Sequence, residues 1–176
     1  MTDSRADLIR ARIRDVRDFP KPGIVFKDIT PMLGDPRAFD AAIALLADAA
    51  RPLEADVVVA IESRGFLFGA PLALRLGAGF VPVRKPGKLP SATTRVEYDL
   101  EYGTDAIEMH TDAFSHGARV LVVDDVIATG GTAAATCELV RRLGGHVVGA
   151  AFLIELAFLG GADRLGGAPV IAAVRY

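Results

Sequence analysis

Cysteine is almost absent from the sequence, and so are long apolar runs. The single cysteine, Cys137, cannot form an intramolecular disulfide, which is typical of proteins from a reducing compartment. The longest apolar run, residues 147–154, is only as long as a strand, whereas a membrane span needs roughly 18 residues. The first residues are polar and partly acidic, unlike a signal peptide. We therefore predict a cytoplasmic protein that does not enter a membrane.

Positive charge is not in surplus either. The 20 Lys and Arg residues are balanced by 22 Asp and Glu residues, which gives a formal net charge of -2 and argues against nucleic-acid binding.

His110, His116 and His146 do not have the spacing of metal ligands, and Cys137 has no adjacent base. We predict no catalytic or metal-binding role for these four residues.

Short apolar segments alternate with helical segments along the chain. The runs at 57–61 and 120–123 are apolar throughout, as in strands that are covered on both faces. The predicted helices are 4–18, 36–50 (with Asp35 as N-cap), 69–76 and 132–143, and the predicted strands are 57–61, 80–83, 120–123, 147–156 and 170–174. Residues 92–104 show no strong core pattern. This alternation predicts an α/β fold, a parallel sheet flanked by helices, in one domain over residues 1–176.

Ligands of open parallel sheets bind beyond the carboxyl ends of the strands. The segments in that position are 62–65, 84–88, 124–132 and 155–156. We expect the functional site among them.

The segment 120–132 carries the clearest chemical pattern. A buried strand leads to two carboxylates, Asp124 and Asp125, and then to Thr129, two glycines and Thr132. Glycine backbone N–H groups at the start of a helix can surround one phosphate, and the threonine hydroxyls add donors. Paired carboxylates instead accept hydrogen bonds from vicinal hydroxyls. The combination predicts a site for a ribose 5-phosphate, whereas the spacing of a Walker A loop and of a dinucleotide-binding fingerprint is missing.

This segment resembles the phosphoribosyl-diphosphate signature of the type I phosphoribosyltransferases. Four further segments, 19–30, 62–69, 84–90 and 100–103, are similar to the members of that family that act on adenine, so the resemblance covers residues 8 to 156. It implies a type I phosphoribosyltransferase-like sheet with a small N-terminal hood, residues 1–35, over the purine site. It also implies the reaction of adenine with phosphoribosyl diphosphate to give AMP and diphosphate.

The resemblance assigns a role to each predicted site residue. Those implied for phosphate and ribose are Asp124, Asp125, Ala128, Thr129, Gly130, Gly131, Thr132 and Ala133. Those implied for diphosphate are Ser63, Arg64, Arg84, Lys85 and Lys88, and those for the purine are Val25, Phe26, Lys27, Ala128 and Leu156. Arg64 and Glu101 are the implied catalytic residues, with Glu101 as the general acid/base and Tyr102 beside it in a mobile flap.

The resemblance also implies a cofactor and an assembly. Mg²⁺ is expected to be held mainly by substrate and water, with no direct protein ligand. The loop that contains Arg84 is expected to contact diphosphate, in its own subunit or from the partner in a homodimer.

The identity of the base rests on one position. Family members that act on 6-oxopurines place a lysine after the strand that corresponds to 147–154, whereas this chain has Glu155 and Leu156 there. Adenine is therefore favoured, and hypoxanthine, guanine, xanthine and orotate are the alternatives. A regulator that only senses phosphoribosyl diphosphate is a further alternative, although Arg64 and Glu101 favour turnover.

Overall fold

The computed structural model describes residues 3–99 and 103–176. It divides into two compact units, one that ends at Leu45 and one that comprises Leu46–Tyr176. The single domain over 1–176 and the hood over 1–35 stay predictions. None of the helices among the described residues combines the length and the apolar composition that a membrane span requires.

The first unit contains short elements. They are α1 (Ser4–Arg10), β1 (Arg14–Arg17), β2 (Val25–Asp28), α2 (Thr30–Leu33) and the first part of α3 (Pro36–Ala50). The prediction of α3 is confirmed, and its Asp35 cap accepts hydrogen bonds from the amides of Arg37 (3.0 Å) and Ala38 (3.4 Å).

The prediction of one helix over residues 4–18 is wrong. The helix ends at Arg10, and residues 14–17 instead form β1, which pairs with β2 in antiparallel register. Two ion pairs cross this register, Arg14 with Asp28 (2.5 Å) and Lys27 with Asp15 (2.7 Å). The pairing with β2, from which β1 is separated by residues 18–24, outweighs the helical spacing of the apolar residues.

The second unit is built on a five-stranded parallel sheet with the order β4-β3-β7-β8-β9. The strands are β3 (Val57–Ile61), β4 (Gly79–Val83), β7 (Arg119–Ile127), β8 (His146–Glu155) and β9 (Val170–Arg175), and the helices are α4 (Gly65–Leu76) and α5 (Gly131–Arg142). The predicted α/β class and its parallel sheet are confirmed. Buried residues of β3, β7, β8 and α5 form one apolar core. The carboxyl ends of β4, β3, β7 and β8 therefore lie along one edge, where the four predicted site segments follow them.

A hairpin occupies the region that showed no core pattern. Strands β5 (Thr93–Asp99) and β6 (Thr104–His110) pair in antiparallel register, with Tyr98 opposite Asp105. Val96 is buried between the exposed residues Arg95 and Glu97, and Ile107 is buried opposite Val96. This hairpin was not predicted from the sequence, because its apolar alternation is short and each strand depends on its partner for burial.

Candidate active site

The turn between β7 and α5 forms a small concave site. A pocket of about 110 Å³ is walled by Asp124 and residues 126–133. We call residues 128–132 the glycine loop. Gly130 is the N-cap of α5 and has a left-handed φ of 79°, which favours glycine. The helix begins at Gly131, one residue before its predicted start, so its first amide groups, which have no partner within the helix, adjoin the pocket. This arrangement suits an anion.

The two carboxylates at the end of β7 have different surroundings. Asp124 is partly buried and accepts a hydrogen bond from the Asp125 amide (2.8 Å), whereas Asp125 is 4% exposed. Burial raises the pKa of Asp124 well above its usual value, and the charge of Asp125 adds to the effect. Burial also raises the pKa of Asp125, although the positive charge of Arg64 opposes this shift.

Arg64 connects the end of β3 with this acid pair. Its Nε lies 2.8 Å from Oδ2 of Asp125. Ser63 and Arg64 immediately precede α4, and the peptide bond between Glu62 and Ser63 is cis. A Cβ atom on Gly65 would lie 2.9 Å from Oδ1 of Asp124, so glycine allows the start of α4 to approach the carboxylate closely. The structure thus brings together two residues that the sequence analysis predicted for the diphosphate and for the ribose.

Glu62 contacts the cationic residues that follow β4. It contacts Lys88, its Oε2 lies 3.3 Å from Nε of Arg84, and the same oxygen accepts a hydrogen bond from the Lys85 amide (2.9 Å). Burial opposes the ionisation of Glu62, but these hydrogen bonds outweigh it and lower the pKa of the carboxyl. No role for Glu62 is predicted from the sequence. Its position directly after β3, next to Ser63, is the feature of the sequence that could have indicated one.

A chain of polar contacts runs from this loop to the glycine loop. Lys85 contacts Asp105, and its Nζ lies 3.4 Å from the Tyr98 hydroxyl. The Tyr98 hydroxyl donates to Oδ2 of Asp105 (3.2 Å) and accepts from Oγ1 of Thr132 (3.2 Å). Burial would lower the pKa of Lys85, but the contacts with Asp105 and Tyr98 together outweigh it and raise that pKa. Tyr98 and Asp105 were missed because only the pairing of β5 with β6 brings them here.

The residues implied for the purine belong to different elements. Val25, Phe26 and Lys27 belong to β2 in the first unit, where the Phe26 ring meets Phe19 edge-on at 5.2 Å between centroids. Leu156 follows β8, and its amide donates to the Ile127 carbonyl at 2.9 Å.

Glu101 and Tyr102 lie outside the described residues, between β5 and β6 in the chain. Within residues 3–99 and 103–176, no three His, Cys, Asp or Glu side chains are grouped so that they could hold a metal ion. Cys137 is fully buried, and burial raises the pKa of its thiol.

Known proteins resemble this chain over almost its whole length. Residues 32–165 match the family described as the phosphoribosyl transferase domain. An adenine phosphoribosyltransferase from Myxococcus xanthus is 62% identical over 161 residues, which are 92% of this chain and 87% of that protein.

Solved structures agree with the sequence relatives. The crystal structure of an adenine phosphoribosyltransferase from Thermoanaerobacter pseudethanolicus superposes with a TM-score of 0.94 at 54% identity, and covers 97% of this chain and 99% of that one. A Saccharomyces cerevisiae adenine phosphoribosyltransferase, crystallised with an imino-altritol bisphosphate and adenine, has a TM-score of 0.91 at 42% identity, with 97% and 99% covered.

Proposed function

Because the chain belongs to the phosphoribosyl transferase domain family and, within it, to the adenine phosphoribosyltransferases, we propose that it transfers the 5-phosphoribosyl group of phosphoribosyl diphosphate to adenine. The products are AMP and diphosphate, and the reaction salvages a free purine base. The observation that carries the proposal is the end of β7, where Asp124 and the glycine loop line a single pocket and Asp125 follows Asp124 directly. We propose that this enzyme acts in the cytoplasm and as a homodimer.

The pocket supports binding of the ribose 5-phosphate part of the substrate. In our proposal the amide groups of the glycine loop and the hydroxyls of Thr129 and Thr132 donate to the 5-phosphate. Asp124 and Asp125 accept hydrogen bonds from the two ribose hydroxyls. Such bonds favour the ionised form of a carboxylate, so they oppose the effect of burial on the pKa of Asp124. Substrate binding and ionisation of the acid pair therefore support each other.

The cations beyond β3 and β4 support binding of the leaving group. Diphosphate gains negative charge as the anomeric C–O bond breaks, and donors that are already in position stabilise that charge. We assign Arg64, Arg84 and Lys88, with Ser63 and Lys85, to this task. Glu62 and Asp125 hold two of these cations, Arg84 and Arg64, in defined positions by ion pairs. Arg64 contacts Asp125 of the acid pair and belongs to the residues that we assign to diphosphate. This position supports a catalytic role at the anomeric C–O bond that breaks.

Magnesium fits this site as an ion that arrives with the substrate. Asp124 and Asp125 offer hard oxygen atoms beside the ribose hydroxyls, and no group of three metal ligands occurs among the described residues. When bound, Mg²⁺ would neutralise part of the charge on the diphosphate.

An assay of several bases tests the proposed function. Purified protein with Mg²⁺ and phosphoribosyl diphosphate should release diphosphate with adenine, and at far lower rates with hypoxanthine, guanine, xanthine or orotate. Turnover of a 6-oxopurine instead would show that the absence of a lysine at Glu155–Leu156 does not decide the base. Tight binding of phosphoribosyl diphosphate without turnover of any base would favour a sensor.

A further inference from the structure

The segment that follows β8 touches the glycine loop through its backbone. Gly161 begins a 3₁₀ helix, Gly161–Leu165, and is buried. A Cβ atom on Gly161 would overlap the Ala128 carbonyl oxygen and would lie 2.8 Å from the Gly130 amide nitrogen. Conversely, a Cβ atom on Gly130 would overlap the Gly161 carbonyl oxygen. The two backbones therefore pack against each other with no room for a side chain at either position.

Close approach alone explains the glycine at position 161. Its backbone does not adopt the left-handed φ that favours glycine, whereas Gly130 does. An alanine at 161 would be compatible with the local backbone but would collide with backbone atoms of the glycine loop. Backbone atoms cannot rotate away as a flexible side chain can, so the loop itself would have to move.

Arg164 makes a second connection from the same turn. Its Nη1 donates a hydrogen bond to the Thr129 carbonyl oxygen at 3.3 Å. Because the peptide group is planar, a bond that fixes the Thr129 carbonyl also fixes the plane of the Gly130 amide. The next residue, Leu165, is fully buried in the core of the second unit and anchors the turn.

We propose that Gly161 and Arg164 are positioning residues that hold the glycine loop in the shape that binds the 5-phosphate. This inference rests on the proposed function, since it concerns the same phosphate site. Neither residue is assigned a contact with the substrate. Their removal should weaken binding of the ribose 5-phosphate half of the substrate and spare the diphosphate half, whose cations follow β3 and β4.

Gly161→Ala tests the backbone contact. Calorimetry should show ribose 5-phosphate bound at least about ten-fold more weakly, because misplacing a binding group by an ångström is costly. The Kd of magnesium diphosphate should stay within about two-fold of the wild type. In steady state, KM for phosphoribosyl diphosphate should rise more than kcat falls. Gly79→Ala is the matched control: Gly79 also lacks a left-handed φ, but its Cβ would meet Val57 at an ordinary 3.6 Å.

Arg164 provides a test that does not depend on the folding of the glycine variant. Arg164 is exposed, so Arg164→Met should fold normally and weaken ribose 5-phosphate binding about five-fold, the value of one ordinary hydrogen bond. Arg164→Lys, which keeps a donor and the charge, should restore most of the affinity. Arg119→Met is the control, because Arg119 also donates to backbone carbonyls (Glu54, 2.9 Å, and Leu53, 2.8 Å) but at the amino end of β7.

The outcomes separate this inference from the proposed function. Failure of the wild-type protein to bind ribose 5-phosphate would count against the proposed function itself. Wild-type affinity in both Gly161→Ala and Arg164→Met would overturn the positioning role and leave the proposed function intact. Equal losses of ribose 5-phosphate and diphosphate binding would also overturn it, since they would indicate a general structural defect.

Discussion

Asp124 and Asp125 are adjacent in β7 but are stabilised differently. Asp125 has an ion pair with Arg64, whereas Asp124 is paired with no cation in the ion pairs that the structure describes. Burial and the negative charge of Asp125 raise the pKa of Asp124. A carboxyl whose pKa is raised by folding stabilises the fold below its unfolded pKa, about 3.9, and loses that contribution as the pH rises through its folded value. At neutral pH the raised pKa of Asp124 is therefore a cost to the unliganded fold, because folding disfavours the ionised form that the unfolded chain adopts.

Asp124→Asn should consequently stabilise the protein while it impairs function. We expect a higher Tm than the wild type at pH 7, and a smaller difference below the usual carboxyl pKa, where both side chains are neutral. KM for phosphoribosyl diphosphate should rise about ten-fold or more, because a hydrogen bond to a charged group contributes about 1.5–3 kcal/mol. Thermal melts between acidic and neutral pH, together with steady-state kinetics, provide both measurements.

Asp125→Asn is the comparison for this prediction. It removes the partner of the Arg64 ion pair, so the same gain in Tm is not expected. A lower Tm in Asp124→Asn at pH 7, or unchanged kinetics in both variants, would contradict our interpretation of the acid pair.

At the level of secondary structure, the β5–β6 hairpin connects the two phosphate-binding segments of the proposed site. Tyr98 and Asp105 face each other across the hairpin and contact Thr132 of the glycine loop and Lys85 of the loop after β4. The hairpin also packs against α5 through buried residues such as Val96 and Met109. The described strands of the hairpin are therefore connected to both segments of the proposed site.

Glu101 is the residue that we predict to perform proton transfer from this element. Glu101→Gln keeps the size and most hydrogen-bonding capacity of the side chain but cannot accept a proton. General acid–base catalysis typically contributes about 10²–10⁴-fold, so kcat should fall by about that factor. The dissociation constants of adenine and phosphoribosyl diphosphate, measured by calorimetry, should change little.

Glu97→Gln controls for charge on the same hairpin. Glu97 is exposed and forms an ion pair with Arg95 at 2.8 Å, so its variant should retain activity within about two-fold. If Glu101→Gln lost binding and turnover equally, Glu101 would position substrate and would not transfer the proton. A fully active Glu101→Gln would leave Glu101 as a surface acid.

At the scale of the whole molecule, the proposed reaction divides its tasks between the two units. The second unit contains every described residue that we assign to phosphate, ribose and diphosphate. The first unit contains Val25, Phe26 and Lys27, which the family resemblance implies for the purine together with Ala128 and Leu156 of the second unit. Changes at the purine residues of the first unit should therefore affect adenine and spare phosphoribosyl diphosphate.

Phe26→Ala tests this division. Stacking of a base on an aromatic ring contributes about 1–3 kcal/mol, so KM for adenine should rise about five-fold or more. KM for phosphoribosyl diphosphate should stay nearly constant. Ile24→Ala, at an exposed apolar position of the same unit, should leave both constants near the wild type. Equal increases in both constants for Phe26→Ala would mean that Phe26 has a structural role and no specific role for the base.

The sequence by itself determined the α/β class, the strands of the parallel sheet, the Asp35 cap of α3 and the glycine turn between β7 and α5. These features are local: a buried strand is a continuous apolar run, and an anion-binding turn needs its glycines and hydroxyls within a few residues. Each could be recognised without knowing what packs against it. The parallel order then placed the four predicted segments at one edge of the sheet.

Tertiary structure alone decided the contacts that organise the site. Glu62 contacts Arg84 across neighbouring strands, and Tyr98 contacts Asp105 across a hairpin. Gly161, which follows β8 in the chain, packs against Gly130, which follows β7. It also decided that residues 14–17 form a strand, because β2 supplied the partner. No sequence periodicity links these partners, and their interaction depends on desolvation and close packing that arise only when the elements have come together.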